Sequence, residues 1–578
     1  MDFVSLLEGV LRKAVFLAVV AAAAFPSAAP AVQLVPRVVY KREVRTIGGE
    51  RVVVHVLKAP KPGGLYDLKP VLSNGLVTGR ETVSSMQRRL SSRATLAGIN
   101  GDLFNWESGR PSGIFLHRNL LSTRALPNRS SLGIGVDGLL RTGFIRYTGT
   151  WQFGSNKLRT LREFNHPLEQ DRGVVLYSPT WGPRTPRVRG AREIVLSHVA
   201  PVRPNKDLVG RVVLRSWSTH HQIPAGGAVL QASGDLRKIL LEDAKLGHWV
   251  KLHVSLTPWW SDVKDAIGGG PRLVTGGAPV FQAGEAFLSS QLLPRNPRTA
   301  IGQLSNGRIL MVAVDGRVSW SAGVTNSQLA RLMADLGAQT AMGLDAGGST
   351  TMAFDGQVLN HPSEGGERAV ADSLMVFYYG IYARRPRLPL YSPNGDGVLD
   401  LQKLYAKVVR RSQVSLRLVR ASDGHVAWRS TGTRRRGTVV KSLTRNLADG
   451  KWRWVASATD TKGRTSEMSR TFVTNSTLGY LRLSRSILRP TRHGGSLGIS
   501  FRQAREADVK VTIRTASGRV VRRLRSDHLG TGPHSMVWNV RNDSGKVVRD
   551  GRYLVRVRAV NSIGPVALVR PVTVRRRF

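Results

Sequence analysis

Leu344-Asp345-Ala346-Gly347-Gly348-Ser349-Thr350-Thr351-Met352 sets a carboxylate at the end of an apolar run and follows it with glycines and hydroxyl side chains. Upstream, Thr325 and Gln328 have the spacing of a helix capping box, Leu329, Leu332, Met333 and Leu336 form a helical stripe, and Gly337 ends it. Ala341-Met342-Gly343-Leu344 then reads as a buried strand, and Thr351-Met352-Ala353-Phe354 as the next one. A carboxylate at a strand end, beside a loop whose glycines let a ligand approach the backbone, is where functional groups tend to sit. The competing reading is a tight hairpin begun by an Asp turn. This stretch alone does not choose between the two.

Other segments repeat the pattern. Asn100-Gly101-Asp102-Leu103-Phe104 follows the apolar Leu96-Ala97-Gly98-Ile99, and Gly268-Gly269-Gly270-Pro271 follows Ala266-Ile267. Pro297-Arg298-Thr299-Ala300-Ile301-Gly302 leads into a strand, Ile309 to Val314, that ends in Asp315-Gly316-Arg317. Asn360-His361-Pro362-Ser363-Glu364-Gly365-Gly366-Glu367-Arg368 completes the set. In this order and spacing the segments resemble the phosphodiester glycosidase family, whose characteristic activity is that of an N-acetylglucosamine-1-phosphodiester α-N-acetylglucosaminidase. The resemblance covers roughly residues 40–380. The chain departs from the family pattern at Ala346, where Gly is usual, and at Asp102, where a second Gly is frequent.

The chain has 578 residues, too many for one core, so several domains are expected. Its formal net charge is +48, from 86 Lys plus Arg against 38 Asp plus Glu, which points to anionic surroundings such as cell-wall polymers. The basic residues are mostly scattered singly along alternating strands, with short clusters only at Arg434-Arg435-Arg436 and Arg575-Arg576-Arg577, and no nucleic-acid-binding motif occurs, so no nucleic-acid partner is expected. Arg12 and Lys13 precede an apolar run from Ala14 to Phe25, and Ser27-Ala28-Ala29 offers small residues for cleavage. Residues 1–29 therefore read as a secretion signal and the protein as extracellular or associated with the cell surface, with no other segment able to span a bilayer. The absence of cysteine excludes disulfides, thiol catalysis and Cys-ligated zinc.

Residues 30–380 are expected to form an α+β catalytic domain on a large mixed sheet. Helices are expected at Thr82 to Leu90, Lys157 to Arg162, Asp262 to Ile267 and Asn326 to Leu336; Val174 to Tyr177 and Gly210 to Leu214 read as buried strands. Arg384-Arg385-Pro386-Arg387-Leu388-Pro389 reads as the core of a linker over 381–389. Beyond it, short alternating strands predict two all-β sandwiches, 390–475 and 478–578. The second, with Ser517-Gly518, Trp538 and Asp550-Gly551-Arg552-Tyr553, resembles the Ig-like domain of flagellar hook assembly proteins, which is a spacer or surface-binding module in many secreted enzymes.

The resemblance implies a hydrolase that cleaves sugar-1-phosphodiester linkages, in cell-wall or exopolysaccharide glycans. That chemistry needs a group to activate water or stabilise an oxocarbenium-like centre, and cations or amides to hold the phosphate. The motif loops offer Asp345, Glu367 and Asp315 as carboxylates, and Arg298, Arg317 and Arg368 as cations. Asn100, Gly347, Gly348, Ser349, Thr350, Asn360 and Ser363 are the further candidates for substrate binding. Asp315-Gly316 equally suits a hairpin turn, and Glu367-Arg368 a local ion pair. The alternative from another class is a catalytically inactive surface protein that binds polysaccharide or cell wall through the same cleft. No cofactor is expected. Ser392 to Asp400 resembles part of a calcium loop, with Asn394, Asp396 and Asp400 as oxygen donors but no Glu at the twelfth position; the preferred reading is a turn, with structural Ca²⁺ as the alternative.

Overall fold

The computed structural model describes residues 30–168, 172–258, 260–281, 284–444 and 447–576. The secretion signal expected at 1–29 lies outside them. The fold is mostly β, with 53% strand and 7% helix. The chain divides into two units at Gly380/Ile381.

In the first unit, an antiparallel eight-stranded sheet has the order Val32–Val35, Val38–Ile47, Glu50–Ala59, Ile309–Val314, Arg298–Leu304, Ala338–Gly343, Arg272–Thr275, Ala278–Pro279. The helix Asn326–Asp335 packs Leu329, Leu332 and Met333 onto Val54, Val312 and Ala341 of this sheet. Its capping box forms as expected: Gln328 N–H donates to Thr325 Oγ1 at 3.2 Å and Thr325 N–H to Gln328 Oε1 at 3.0 Å. A five-stranded sheet, Gln357–Val358, Met352–Phe354, Thr95–Asn100, Asp372–Tyr378, Tyr66–Leu72, carries the helix Val83–Leu90, whose Met86 meets Leu96 and Met375. A second eight-stranded sheet buries Trp151, Leu230 and Val250, and another five-stranded sheet is centred on Val263–Gly268.

The expected single large mixed sheet is thus replaced by several sheets that are almost wholly antiparallel; Glu163–Phe164 beside Gly173–Tyr177 is a parallel exception. Two expected helices are strands. Val263, Ala266 and Ile267 have helical spacing, yet the segment pairs on both edges, with Phe115–His117 and Ser130–Gly135, and this pairing overrides the local pattern. At 157–162, Leu158 is exposed while Leu161 is fully buried, so no helical face exists, and Arg159–Thr160 pairs with Trp151 and Thr150 instead. Residues 210–214 are a strand, but Val213 and Leu214 face solvent and only Val212 of the apolar three is buried. Short helices at Leu236–Asp243 and Ser289–Leu292 had no sequence signal strong enough to read.

The second unit contains a three-stranded and a five-stranded sheet up to Thr474, and another such set from Leu478 onward. Trp452, Trp454 and Trp538 are buried in its interior. Tyr382–Ala383, inside the stretch expected as linker, is already paired with Lys407 and Ala406.

Thr325→Ala removes the acceptor of the capping box and should lower stability by about 1 kcal/mol. The measurement is the denaturant midpoint of the transition that melts the helix Asn326–Asp335; an unchanged midpoint would show that packing alone holds the helix.

Candidate active site

Asp345 lies where the chain leaves one sheet for another. Ala338–Gly343 belongs to the antiparallel eight-stranded sheet, and Met352–Phe354 pairs with Thr95–Asn100 of the five-stranded sheet. Three backbone hydrogen bonds fasten the crossing: Leu344 N–H to Thr299 O, Asp345 N–H to Gly101 O and Gly347 N–H to Pro297 O, each 2.9 Å. Gly347 is left-handed at φ +66°, and a Cβ there would stand 3.4 Å from the Arg317 guanidinium nitrogens. Ala346 is extended, at φ −116° and ψ −173°, so its additional methyl group causes no backbone strain.

Several expected site residues serve the scaffold. Asn100 is fully buried; its Nδ2 donates to Asp345 O at 2.8 Å, and its Oδ1 accepts from Thr299 Oγ1 at 2.7 Å and Thr351 N–H at 3.1 Å. Asn360 accepts from Met352 N–H at 2.8 Å and donates to Thr350 O at 3.0 Å. Glu367 accepts from Ser84 N–H at 2.8 Å, in the first turn of Val83–Leu90, where the helix dipole favours a carboxylate. Asp315 is buried, bonded to His55 Nε2 and His361 N–H, both at 3.0 Å, and Tyr40 closes on His55 Nδ1 at 2.8 Å. Arg298 is buried and donates to the carbonyls of Gln291 (2.7 Å), Pro294 (2.8 Å), Val324 (3.2 Å) and Leu292 (3.4 Å). Burial, and secondarily the charge of Arg317, bring its pKa down to about 10. It braces the cavity wall rather than offering a free fork.

What remains converges on a cavity of about 210 Å³. Asp345, Ala346, Gly347, Asn296, Arg298 and Arg317 line one side, and Leu103, Phe287, Leu292 and Leu344 form an apolar wall. Arg317, at φ +57°, donates through Nε to Asn296 Oδ1 at 2.9 Å. Among the described residues its terminal nitrogens have no hydrogen-bond partner and it has no ion pair. Asp345 keeps intermediate exposure at the cavity floor. Its carboxyl is pushed up to about 6 by burial, with the Asp102 charge adding to the rise; the Ser349 hydroxyl, Ala346 N–H and Arg368 oppose it. Arg368 is paired with Glu364, donates to Ser349 Oγ at 3.2 Å and lies 4.9 Å from the centre of the Trp106 ring. A methyl at Gly348 would strike that ion pair. Thr350 Oγ1 and Ser363 Oγ are buried without a hydrogen-bond partner among the described residues.

The loop Ser392 to Asp400 forms the turn that is the preferred reading of this segment. Asp400 accepts N–H groups of Asn394 (2.8 Å), Gly395 (3.0 Å) and Gly397 (2.6 Å), while Asp396 accepts those of Val398 and Tyr480, both at 2.8 Å. The loop closes on backbone amides, and among the described residues no cluster of three or more His, Cys, Asp or Glu is arranged for a metal ion. Trp106, Asn296 and Asp372 belong to the site neighbourhood but were missed. Trp106 stands two residues after a recognised motif, and only the fold brings it beside Arg368.

Fold and cleft define a β-rich domain with a carboxylate and an unpaired guanidinium in one cavity. Residues 210–377 match the phosphodiester glycosidase family, and residues 486–562 match the FlgD Ig-like domain. The chain is thus similar to phosphodiester glycosidases over residues 210–377 and to the FlgD Ig-like domain over residues 486–562. An SPbeta prophage-derived uncharacterized protein of Bacillus subtilis is 42% identical over 84 residues, 14% of this chain and 13% of that protein. A hypothetical protein from Synechocystis has a similar fold, with TM-score 0.53 and 24% identity over 61% of this chain and 64% of its own. The chain thus spans less than two thirds of either relative. The zebrafish N-acetylglucosamine-1-phosphodiester α-N-acetylglucosaminidase catalytic domain aligns at TM-score 0.32 and 14% identity, over 62% of this chain and 84% of its own. No helix among the described residues is long and apolar enough to cross a membrane.

The raised pKa of Asp345 makes a signed prediction. Its folded value near 6 exceeds the ordinary 3.8, so its contribution to stability is full below about 3.8 and is lost as pH rises through about 6. Asp345→Asn should match the parent near pH 4 and exceed it at pH 7, by on the order of 1–3 kcal/mol. Melting curves at the two pH values check this; a pH-independent difference contradicts it.

Proposed function

We propose that the chain is a secreted hydrolase cleaving sugar-1-phosphodiester linkages in cell-wall or exopolysaccharide glycans. The observation that carries this reading is Asp345, a carboxyl with pKa near 6, in the same cavity as the unpaired Arg317. At neutral pH such a carboxylate is ionised yet more basic than an ordinary one, which suits a general base. Asp345 takes a proton from water as the water oxygen bonds to the anomeric carbon. The bond from that carbon to the phosphate oxygen breaks, its electron pair leaving with the phosphate monoester. Arg317 offers two terminal nitrogens to the phosphate charge. Trp106, 57% exposed, lies against the guanidinium groups of Arg368 (4.9 Å) and Arg80 (5.2 Å) and offers its remaining exposed surface to a sugar ring.

A second reading, a catalytically inactive polysaccharide-binding surface protein, draws on one observation: Asp345 is the sole carboxylate among the residues lining the cavity. Glycosidases commonly use two. A phosphate monoester leaves readily without a second acid, which favours the hydrolase. Incubating the protein with UDP-N-acetylglucosamine and with methyl N-acetylglucosamine-1-phosphate, and following the released sugar by NMR, separates the readings. Asp345→Asn should lower turnover by about two orders of magnitude or more, and Arg317→Lys should impair it through loss of the planar fork. Turnover within a few-fold of the parent for Asp345→Asn would remove Asp345 from the chemistry.

The paired three- and five-stranded sheets of the second unit support two Ig-like sandwiches acting as spacers or wall-binding modules. With a net charge of +48, retention on anionic wall polymers should weaken as salt rises, because exposed charges beyond about 10 Å are screened near 0.1 M. Turnover of a small soluble phosphodiester should change much less over the same salt series. Salt-independent wall binding would reject the electrostatic account.

A further inference from the structure

Within electrostatic reach of Asp345 lie two more carboxyl groups, Asp102 and Asp372, both buried. Asp102 N–H donates to Asp372 Oδ1 at 2.8 Å. The segment that carries Asp102 also holds the Asp345 backbone, since Asp345 N–H donates to Gly101 O and Asn100 Nδ2 to Asp345 O. Bare glycine backbone surrounds the pair: a Cβ at Gly101 would collide with Asp372 Oδ1, and one at Gly268 with Asp102 Oδ2. This close packing gives Gly268 a structural role.

The two acids are not equivalent. Asp102 accepts on both oxygens, from Leu103 N–H at 2.8 Å and Gly113 N–H at 2.5 Å; burial raises its carboxyl, and the charges of Arg129 and Arg110 together with these two N–H groups oppose the rise. Asp372 accepts only on Oδ1, and its Oδ2 is buried without a hydrogen-bond partner among the described residues. A buried carboxylate oxygen with no donor is far costlier than a neutral carboxyl. We propose that Asp102 and Asp372 are a buried acid pair holding one proton, which stays on Asp372, and that the remaining charge on Asp102 makes Asp345 a stronger base. Asp102 is thus a positioning residue acting through Asp345, and this inference rests on the proposed role of Asp345.

Burial raises both carboxyls, but Asp102 has the cations Arg129 and Arg110 opposing the rise, whereas Asp372 has one backbone N–H. Burial, then the Asp102 charge, lift Asp372 well above the carboxylate range. The groups facing Asp345 are Asp102 and Asp372, Arg298 and Arg317 from the cavity wall, and Arg368 with its partner Glu364 from the loop beyond Ser349. Arg368 lowers the Asp345 pKa, whereas Asp102 raises it.

The test is carboxyl titration in the full-length protein with ¹³Cγ-labelled aspartate, assigned by single substitution. Asp372 should give the shift of a protonated carboxyl at pH 7, and Asp102 that of a carboxylate. Asp102→Asn should lower the Asp345 midpoint by about one pH unit, while Asp372→Asn, which keeps a neutral group, should barely move it. Asp102→Gly serves if Asp102→Asn fails to fold, and the parent titration needs no variant. An ionised Asp372 at pH 7, or equal displacement of Asp345 by both substitutions, overturns the proposal. Hydrolysis retained by Asp345→Asn would instead sink the proposed function while leaving these titrations as a separate result.

Discussion

The carboxamide of Asn100 is the constraint on which the site depends. One buried side chain holds Asp345 O, Thr299 Oγ1 and Thr351 N–H, so it joins two sheets and both ends of the crossing loop. Each of those groups would be a costly unpaired polar atom without it. The loop can therefore present Asp345 and a left-handed Gly347 to a cavity while its own backbone stays satisfied. An irregular segment between sheets becomes a rigid platform by this means, which is what a catalytic group requires.

Burial then sorts the candidates. Asp315, Glu367 and Arg298 all carry charge and all stand in motif loops, yet each is occupied by protein donors or acceptors. Their energy goes into holding His361, the start of Val83–Leu90 and the Gln291 to Pro294 turn. Asp345 and Arg317 keep unspent capacity toward the cavity. The same desolvation that lowers the Arg298 guanidinium raises the Asp345 carboxyl.

The glycines around the site act mainly through space. Gly101 and Gly268 leave room for buried carboxyls, and Gly348 leaves room for the Arg368–Glu364 pair. Gly347 alone of these combines a positive φ with contact to Arg317. Ala346 is tolerated because its backbone is extended. The glycine-rich segments at the site are a close-packed junction of sheets.

Local signals were legible where local energy decides. The capping box at Thr325 and Gln328, the strand Ile309–Val314, the loop around Asp345 and the alternation beyond residue 390 are all readable from spacing and residue type. Val263–Gly268 was misread because its helical spacing of apolar residues yields to pairing on both edges. The division of labour among charged residues was hidden for a related reason. Whether a carboxylate faces a helix N-terminus, as Glu367 does, or a cavity, as Asp345 does, depends on partners hundreds of positions away in the chain. Sequence determined which chemistries were available and where strands and loops would fall. Only the tertiary structure decided which charges were left free, because hydrogen-bond partnership and desolvation are properties of the assembled sheets.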